Sequence, residues 1–302
     1  MSPVIAPPES LSAPTRNEPT TDDSAHELVV VHEGSSEFDF VDAGAPRRWT
    51  GHLASVAWAL LGIAVFVALW HIATLRVTKV PSPVDTVDKL RSLLAHPFGR
   101  HAGTTGIGSQ LLSSLGRVFK GFALAAIVGI PVGLWIGSSR RAWRVVNPLV
   151  QLLRPVSPLA WFPIWLVVFR NAPNAAIFVI FITALWPIVI NTAAGAAAVP
   201  ADHRNVAKVF RFNRRAYIRH VLIPDALPNI VTGLRTSMGI AWMVIVAVEM
   251  LSGGVGIGFY IWDAYNASNL SGVTAAIVLI GVVGLTLDAV FMKFSRMVAD
   301  ES

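Results

Sequence analysis

The sequence predicts an all-α protein that crosses a membrane about six times, and three observations support this fold class. Of the 302 residues, 54% are hydrophobic and only 14% are charged, and the mean hydropathy is +0.59. Soluble domains carry roughly 25% charged residues, so this composition indicates lipid surroundings. Runs of about 20 apolar residues recur along the chain, which is the length that crosses the hydrocarbon core as a helix.

The first 50 residues are predicted to form a disordered, acidic tail in the cytoplasm. They are rich in proline, serine, threonine and carboxylates, and residues 1–46 carry a net charge of −8 against +14 for the rest of the chain. Such a composition buries too little apolar surface to offset the entropy lost on ordering. The tail also lacks a basic start followed by an apolar stretch, so we expect no signal peptide.

Six apolar runs are the predicted membrane spans, at about residues 53–75, 118–137, 152–169, 175–198, 227–251 and 273–292. The third is irregular because it contains Pro155, Pro158 and Pro163, and such breaks survive in a membrane only where protein or a cavity satisfies the freed backbone groups. Residues 51–105 hold the first span and an outer loop. Within this loop a surface helix is predicted with five residues on one apolar side: Val84, Val87, Leu90, Leu93 and Leu94. Residues 106–298 are the predicted transmembrane core.

Lysine and arginine are unevenly distributed between the connections, and this asymmetry predicts that both termini lie in the cytoplasm. One set of connections holds basic clusters at residues 47–48, 140–144, 204–219 and 293–296. The opposite set is poor in basic residues, with residues 76–100 as a partial exception. Cytoplasmic loops of membrane proteins carry the basic excess. Five or seven spans also fit the apolar runs, but the asymmetry favours six.

No catalytic or cofactor motif is recognisable in the sequence. The absence of cysteine excludes disulfides and thiolate metal sites, and a G-x-x-x-x-G-K-[ST] phosphate loop is absent. The run Gly253–Gly258 lacks the G-x-G-x-x-G spacing and follows an apolar helix, so we interpret it as a flexible connection with close backbone packing. His96 and His101 have no carboxylate cluster beside them in the sequence. We therefore expect no metal, no cofactor and no enzymatic activity in this chain.

Polar and aromatic residues inside the predicted spans are candidates for a transport path, and as a hypothesis we assign five to it: Trp161, Trp186, Asn191, Trp242 and Glu249. Ionisable groups within a membrane are commonly functional. The alternative for the tryptophans is packing at helical spacing. For Glu249, and for Arg235 and Asp288, the alternative is solvation or local pairing near the membrane surface.

A basic segment, Arg204–Pro224, lies between the fourth and fifth spans. Its bases share one predicted helical stripe: Arg204, Lys208, Arg211, Arg215 and Arg219. An adjacent apolar patch is formed by Val206, Ala207 and Phe210, with Val209 beside it. The pattern fits a helix on lipid, on nucleic acid or in a partner's groove, but no nucleic-acid-binding module accompanies it. Pro224 and Pro228 are expected to end the segment before the fifth span, which favours partner docking.

The stretch "NVAKVFRFNRRAYIRHVLIPDALPNIVTGLR", residues 205–235, resembles the cytoplasmic EAA loop of binding-protein-dependent ABC import permeases. Asn205 stands where the family has glutamate, and Arg211 where it has glycine. The match then ends on Val221–Pro224. The resemblance implies that residues 200–224 form a coupling loop for an ATPase, with seven contact residues: Asn205, Val206, Ala207, Lys208, Phe210, Arg211 and Pro224.

A narrower resemblance covers nearly the whole chain after residue 55. The runs "PLAWFPIWLVVF", "AIFVIFITALWPIVINTAAG" and "AVEMLSGGVGIGFYIWDAYNAS" are similar to permeases of nitrate and bicarbonate importers within the nitrate/sulfonate/taurine family. This resemblance implies one half of a homodimeric permease with the type I importer fold in the bacterial inner membrane. It also implies two ATPase subunits that bind ATP and Mg²⁺, a solute-binding protein outside, and transport by alternating access between two global states.

The substrate implied by the resemblance is a small inorganic anion, with nitrate as the first expectation. Bicarbonate, a sulfonate such as taurine, and cyanate are the alternatives within the same importer class. A secondary anion transporter is the alternative from a different class, but it would lack the coupling loop and would work without ATPase subunits. No feature indicates a nucleic-acid partner.

Overall fold

The computed structural model describes residues 48–77, 79–101, 104–153 and 155–299, most of which are helical. The helices are α1 (Arg48–Arg76), α2 (Pro83–Ala95), α3 (Ile107–Gly137), α4 (Arg140–Leu153), α5 (Pro158–Phe169), α6 (Ala172–Ala197), α7 (Ala201–Val209), α8 (Arg214–Tyr217), α9 (Ile223–Ser252), α10 (Ile257–Asn266) and α11 (Leu270–Ala299). A π-helix, Ile218–Leu222, joins α8 to α9. Two short antiparallel strands, β1 (Arg100–His101) and β2 (Thr104–Thr105), are a small exception to the predicted all-α fold.

Two compact units divide the chain after Ala57. Of the first, Met1–Ala57, the structure describes the opening turns of α1, so the predicted acidic tail lies outside the described residues except for its last three. The second unit, Trp58–Ser302, contains the rest of α1 and the other described helices. Within it, α1 exposes apolar side chains along its length, including Trp58, Phe66 and Leu69. A helix that is apolar all round is typical of a membrane span.

Five of the described helical segments are long and apolar enough to cross a membrane: Ala54–Arg76, Ile107–Gly137, Ala172–Ala197, Arg214–Ser252 and Leu270–Lys293. α4 and α5 pass the same test as a pair bent by 93°, which gives up to six spans. The predicted fold class is thereby confirmed. The fifth span is longer than predicted because α8, the π-helix and α9 form one helical run of 39 residues.

The third predicted span, residues 152–169, is not a single helix. α4 ends at Leu153, and α5 begins at Pro158 with a proline in its first turn. α5 has 12 residues and is about 18 Å long, too short to cross a hydrocarbon core of about 30 Å alone. The bend lies next to Pro158, which restricts the residue before it, and Ser157 has an extended backbone with ψ 129°. The pair therefore forms a broken span or a re-entrant segment.

The outer helix α2 begins with a capping box, in which Ser82 and Asp85 bond each other's backbone and side chain. The Ser82 hydroxyl and N–H donate to the Asp85 carboxylate and lower the pKa of this carboxyl group. The buried Thr86 hydroxyl bonds the Thr274 hydroxyl on α11 at 2.9 Å. Of the five residues predicted to lie on one apolar side, Leu90 and Leu93 pack against the core, whereas three are exposed, namely Val84, Val87 and Leu94.

Small residues at every fourth position of α3 let it lie directly against α6: Gly121, Ala125, Gly129, Gly133 and Gly137. A Cβ added at Gly121 would lie 2.7 Å from Ile180, and one at Gly133 would lie 2.6 Å from Thr192. The contact advances along both helices in the same direction, so α3 and α6 are parallel. Small residues at such spacing permit close backbone approach, which drives helix association in membranes.

α6 also packs closely against α9, which runs antiparallel to it. A Cβ on Gly195 would lie 2.7 Å from Asn229, and one on Gly233 would lie 2.9 Å from Asn191. Further along, the buried Ser237 hydroxyl donates to the Ala184 carbonyl at 2.9 Å. α6 is therefore the central helix of the core, with α3 and α9 in contact with it at backbone distance.

A buried carboxylate joins the start of α3 to the end of α9 and the start of α10. Glu249 is 1% exposed. It accepts hydrogen bonds from Arg117 Nη1 at 2.6 Å, Ser114 Oγ at 2.7 Å and the Gly258 N–H at 3.1 Å. Gly256 contacts the same carboxylate so closely that a Cβ has no room there. The close backbone packing predicted for Gly253–Gly258 is confirmed at Gly256 and Gly258, whereas a Cβ at Gly253 or Gly254 would have nothing within 4 Å. Glu249 is locally paired.

We predict that Gly133→Ala destabilises the protein by about 1–3 kcal/mol, because the added methyl group overpacks the contact with Thr192. The measurement is the thermal unfolding midpoint of the purified chain in detergent. Gly116→Ala is the matched control on the same helix, where nothing lies within 4 Å of the added atom. Equal midpoints for the two variants would contradict the close α3–α6 contact.

We predict that Glu249→Gln lowers stability by about 3 kcal/mol, because it leaves the cation of Arg117 without its buried counter-ion. The side-chain volume is preserved, so the loss reports the charge. Asp88→Asn is the control, since its pair with Arg91 is largely exposed and contributes little. An unchanged unfolding midpoint for Glu249→Gln would show that the ion pair does not hold these helices together.

Candidate functional site

The basic segment does not form one long helix. α7 ends at Val209, and the Phe212 N–H then donates to the Ala207 carbonyl at 2.9 Å, which reverses the chain. α8 begins after Asn213, whose side chain accepts a hydrogen bond from the Ala216 N–H at 2.8 Å. The predicted single stripe of bases is therefore wrong, because the turn places its first and last members on different helices.

The turn depends on a left-handed backbone at Arg211, where φ is +49°. A residue with a Cβ adopts this conformation at a cost of about 1–2 kcal/mol, which is why glycine is usual at such positions. Arg211 is also the position where the EAA loop pattern has glycine. The turn thus has left-handed geometry although the glycine is absent.

Pro224 and Pro228 do not end the segment, contrary to expectation. Both lie within α9, and Pro224 is in its first turn. The preceding π-helix shifts the hydrogen-bond register, since the Ile223 N–H donates to the Ile218 carbonyl five residues back. A proline just after this shift, without an N–H of its own, is accommodated in the first turn of the following helix. The basic residues of α8 therefore lie on a direct helical extension of the fifth span.

An exposed apolar surface covers the end of α7 and the turn. Val209 is 78% exposed and Phe210 71%, while Val206 and Phe212 are also exposed. Ala207 is only 5% exposed and packs against its own chain. Of the predicted apolar contact residues, Val206 and Phe210 are thus accessible and Ala207 is not. We call the accessible set, Val206, Val209, Phe210 and Phe212, the apolar tip.

Cations surround the apolar tip. A shallow pocket beside it is lined by Arg204, Ala207, Lys208, Arg211, Phe212, Arg214 and Tyr217. The predicted contact residues Asn205, Lys208 and Arg211 are exposed here, and Pro224 is exposed at the start of α9. Val209 was predicted to lie beside the apolar patch, whereas Phe212 was not predicted, although its apolar character close to Phe210 was a signal for it.

A side-chain contact also ties α7 to α9. His203 Nδ1 lies 2.8 Å from Asp225 Oδ2, across 22 residues of sequence. His203 is on α7 and Asp225 is in the first turn of α9. The short helix is therefore fixed to the fifth span by this contact in addition to the chain itself.

Three of the five predicted path residues line one cavity. Trp161, Trp186 and Asn191 face a space of about 350 Å³ between α5, α6 and α9, together with Thr183 and Thr236. Its lining is mainly apolar with a few hydroxyl and amide groups, as is typical of small-molecule sites. The Asn191 amide nitrogen donates to the Pro187 carbonyl at 2.8 Å, which fixes its side chain.

The other two predicted path residues lie elsewhere. The Trp242 indole is buried and donates to the Ile280 carbonyl at 3.1 Å, so it packs α9 against α11. Glu249 belongs to the buried ion pair described above. Arg235 donates two hydrogen bonds to the Asp288 carboxylate, at 2.6 and 2.8 Å. These two residues are therefore paired with each other, which is the alternative to a role in the transport path.

Among the described residues, no three histidine or carboxylate side chains come close enough together to hold a metal ion.

Comparisons with known proteins match both the sequence and the fold. Residues 129–299 match the family described as binding-protein-dependent transport system inner membrane component. The nitrate import permease protein NrtB of Synechocystis is 48% identical over 230 residues, 76% of this chain and 84% of the relative. The bicarbonate transport system permease protein CmpB of Synechococcus elongatus is 45% identical over 247 residues, 80% of this chain and 89% of the relative.

A solved structure with a similar fold is a chain of the MetNI methionine ABC transporter in an inward-facing conformation. The TM-score is 0.57, and the alignment covers 62% of this chain and 93% of that chain. At 18% identity, this likeness concerns the fold alone. On the family match and the identity to these permeases, the chain belongs to the family of inner membrane components of binding-protein-dependent transport systems.

Proposed function

We propose that this ABC importer permease subunit carries nitrate across the inner membrane as one half of a homodimer, driven by two ATPase subunits. The observation that carries the proposal is the apolar tip, presented by α7 and its turn beside a rigid extension of a membrane span. ATP and Mg²⁺ belong to the ATPase subunits, and this chain binds no cofactor. A solute-binding protein delivers the anion from outside.

The apolar tip has the chemistry of a docking element. Contact of phenylalanine and valine side chains with water is unfavourable, and their burial in a hydrophobic groove of a partner is favourable. Arg204, Lys208 and Arg211 beside the tip suit a groove with an acidic rim. We assign this groove to the ATPase subunit, with Phe210 and Val209 as the anchors in place of Ala207.

The connection from α7 to α9 can transmit a movement of the ATPase subunits. The His203–Asp225 contact holds α7 against the first turn of α9. Residues 214–252 form one helical run, and two of them, Thr236 and Ile240, line the cavity that also contains Trp161 and Trp186. Displacement of α7 therefore changes the wall of this cavity, and alternating access needs such a coupling between two states.

The basic clusters support an orientation with both termini in the cytoplasm. The apolar tip and the bases of α8 then face the cytoplasm, where the ATPase subunits are, as the positive-inside rule requires. The Glu249 cluster then lies towards the outer side. A solute-binding protein can reach α2 and α10 from there.

Nitrate is our first choice of substrate, and bicarbonate is the second candidate. Permeases named for each anion resemble this chain at 48% and 45% identity. The described residues around the cavity near Trp161 are mainly apolar, with two hydroxyl groups and one amide among them, and none of these residues is charged. Nitrate is more weakly hydrated than bicarbonate, so it loses less hydration energy in such surroundings.

We predict that Phe210→Asp abolishes nitrate uptake and nitrate-stimulated ATP hydrolysis while the chain still inserts into the membrane. The aspartate places a charge in the apolar groove and removes the main anchor. The measurement uses the full complex with its binding protein, reconstituted in proteoliposomes. Phe210→Leu, which keeps an apolar anchor at the same position, is the control and keeps both activities. Normal uptake by Phe210→Asp would overturn the docking role of the tip.

The same assay distinguishes the anions. For the wild-type complex we expect nitrate to stimulate ATP hydrolysis several-fold above the rate with binding protein alone, and bicarbonate to have little effect. Stimulation by bicarbonate and not by nitrate would reverse the order of the two candidates, while leaving the role of Phe210 intact.

A further inference from the structure

A groove between α3, α4 and α6 combines an apolar lining with two arginines, and the proposed transport mechanism gives it no role. It has a volume of about 400 Å³ and is lined by Ile136, Gly137, Ser139, Arg140, Trp143, Arg144, Ile190, Ala193, Ala194 and Ala197. Its floor is apolar and made largely of glycine and alanine, whose small side chains leave the depth of the groove open. Two arginines, a serine and a tryptophan form its rim.

The groove lies where two spans end on the same side of the membrane. α3 ends at Gly137 and α6 ends at Ala197, and the two helices are parallel, so these ends share one membrane surface. Trp143 is partly exposed beside them. Tryptophan is enriched at the level of lipid headgroups, which supports this depth for the rim of the groove.

The two arginines at the rim lack an acidic partner among the described residues. Arg140 and Arg144 are one helical turn apart, both are exposed, and no described carboxylate lies within 4.0 Å of either. No aspartate or glutamate lines the groove. A pair of free guanidinium groups at this depth attracts a phosphate group, which they can bind through two parallel hydrogen bonds.

We propose that this groove binds an anionic phospholipid. The phosphate of the headgroup lies between Arg140 and Arg144, and an acyl chain lies along Ala194 and Ala197, which are exposed in the groove. Basic pockets between membrane helices on the cytoplasmic side are known to hold anionic headgroups. The leaflet is the cytoplasmic one, in the orientation proposed above, whereas the binding chemistry is independent of that orientation.

The test is native mass spectrometry of the full-length chain, purified in detergent and titrated with phosphatidylglycerol or phosphatidylcholine. We expect wild type to retain phosphatidylglycerol preferentially. The double variant with Arg140→Gln and Arg144→Gln should bind phosphatidylglycerol more weakly than wild type, by about fivefold for each arginine replaced. Arg141→Gln is the matched control, because this neighbouring exposed arginine does not line the groove, and it should behave as wild type.

Two further variants keep the test decisive if the double glutamine variant folds poorly. Arg140→Lys with Arg144→Lys keeps both charges and should retain most of the preference. Ala194→Trp fills the groove and should reduce retention of both lipids. The proposal is overturned if the glutamine pair matches Arg141→Gln, or if inorganic phosphate displaces the lipid completely. It is also overturned if Ala194→Trp breaks a dimer and leaves lipid retention unchanged, since a second copy would then cover the groove.

Discussion

The close approach of three helix backbones is the constraint on which the rest of this structure depends. Apolar side chains gain little free energy when they exchange lipid contacts for protein contacts. Helices in a membrane therefore associate through packing at short distance and through buried hydrogen bonds. α3 contributes a small residue at every fourth position, and α6 and α9 contribute Gly195 and Gly233. These contacts fix α9 against α6 along much of its length.

The two ends of α9 have different roles as a result. At one end, the buried Glu249 ties the helix to Arg117 of α3 and to the glycine-rich start of α10. At the other end, the helix continues through the π-helix into the basic residues of α8, and His203 fixes α7 beside it. A force applied to α7 is therefore opposed at the far end by a buried ion pair. The cavity near Trp161 lies between these two ends.

Much of the architecture could be predicted from the sequence, because span length and apolar composition are local properties. The broken third span followed from its prolines, and the basic segment between two spans is visible from its charge. The spacing of small residues in α3 is equally visible in the sequence, although no prediction rested on it. The partners of Glu249 were not predictable, since Arg117 lies 132 residues away in sequence and only the packing of helices brings them together.

The two wrong predictions for the basic segment, Arg204–Pro224, have a common physical cause. The periodic spacing of the bases predicts one helix through Arg211, but the left-handed backbone there ends α7, so the later bases lie on another helix. Pro224 and Pro228 predict a helix end, whereas the π-helix before Pro224 lets the helix continue. Both features depend on hydrogen-bond register, which composition and spacing do not reveal.

The central claim is that the apolar tip contacts the ATPase subunit. The chain has no cysteine, so Val209→Cys introduces a single thiol at the most exposed residue of the apolar tip. A photoreactive maleimide can be attached to this thiol. Illumination of the assembled complex should cross-link this position to the ATPase subunit, and Phe98→Cys should give no such product. A Val209→Cys product with lipid or a second permease copy, and none with the ATPase subunit, would contradict the account.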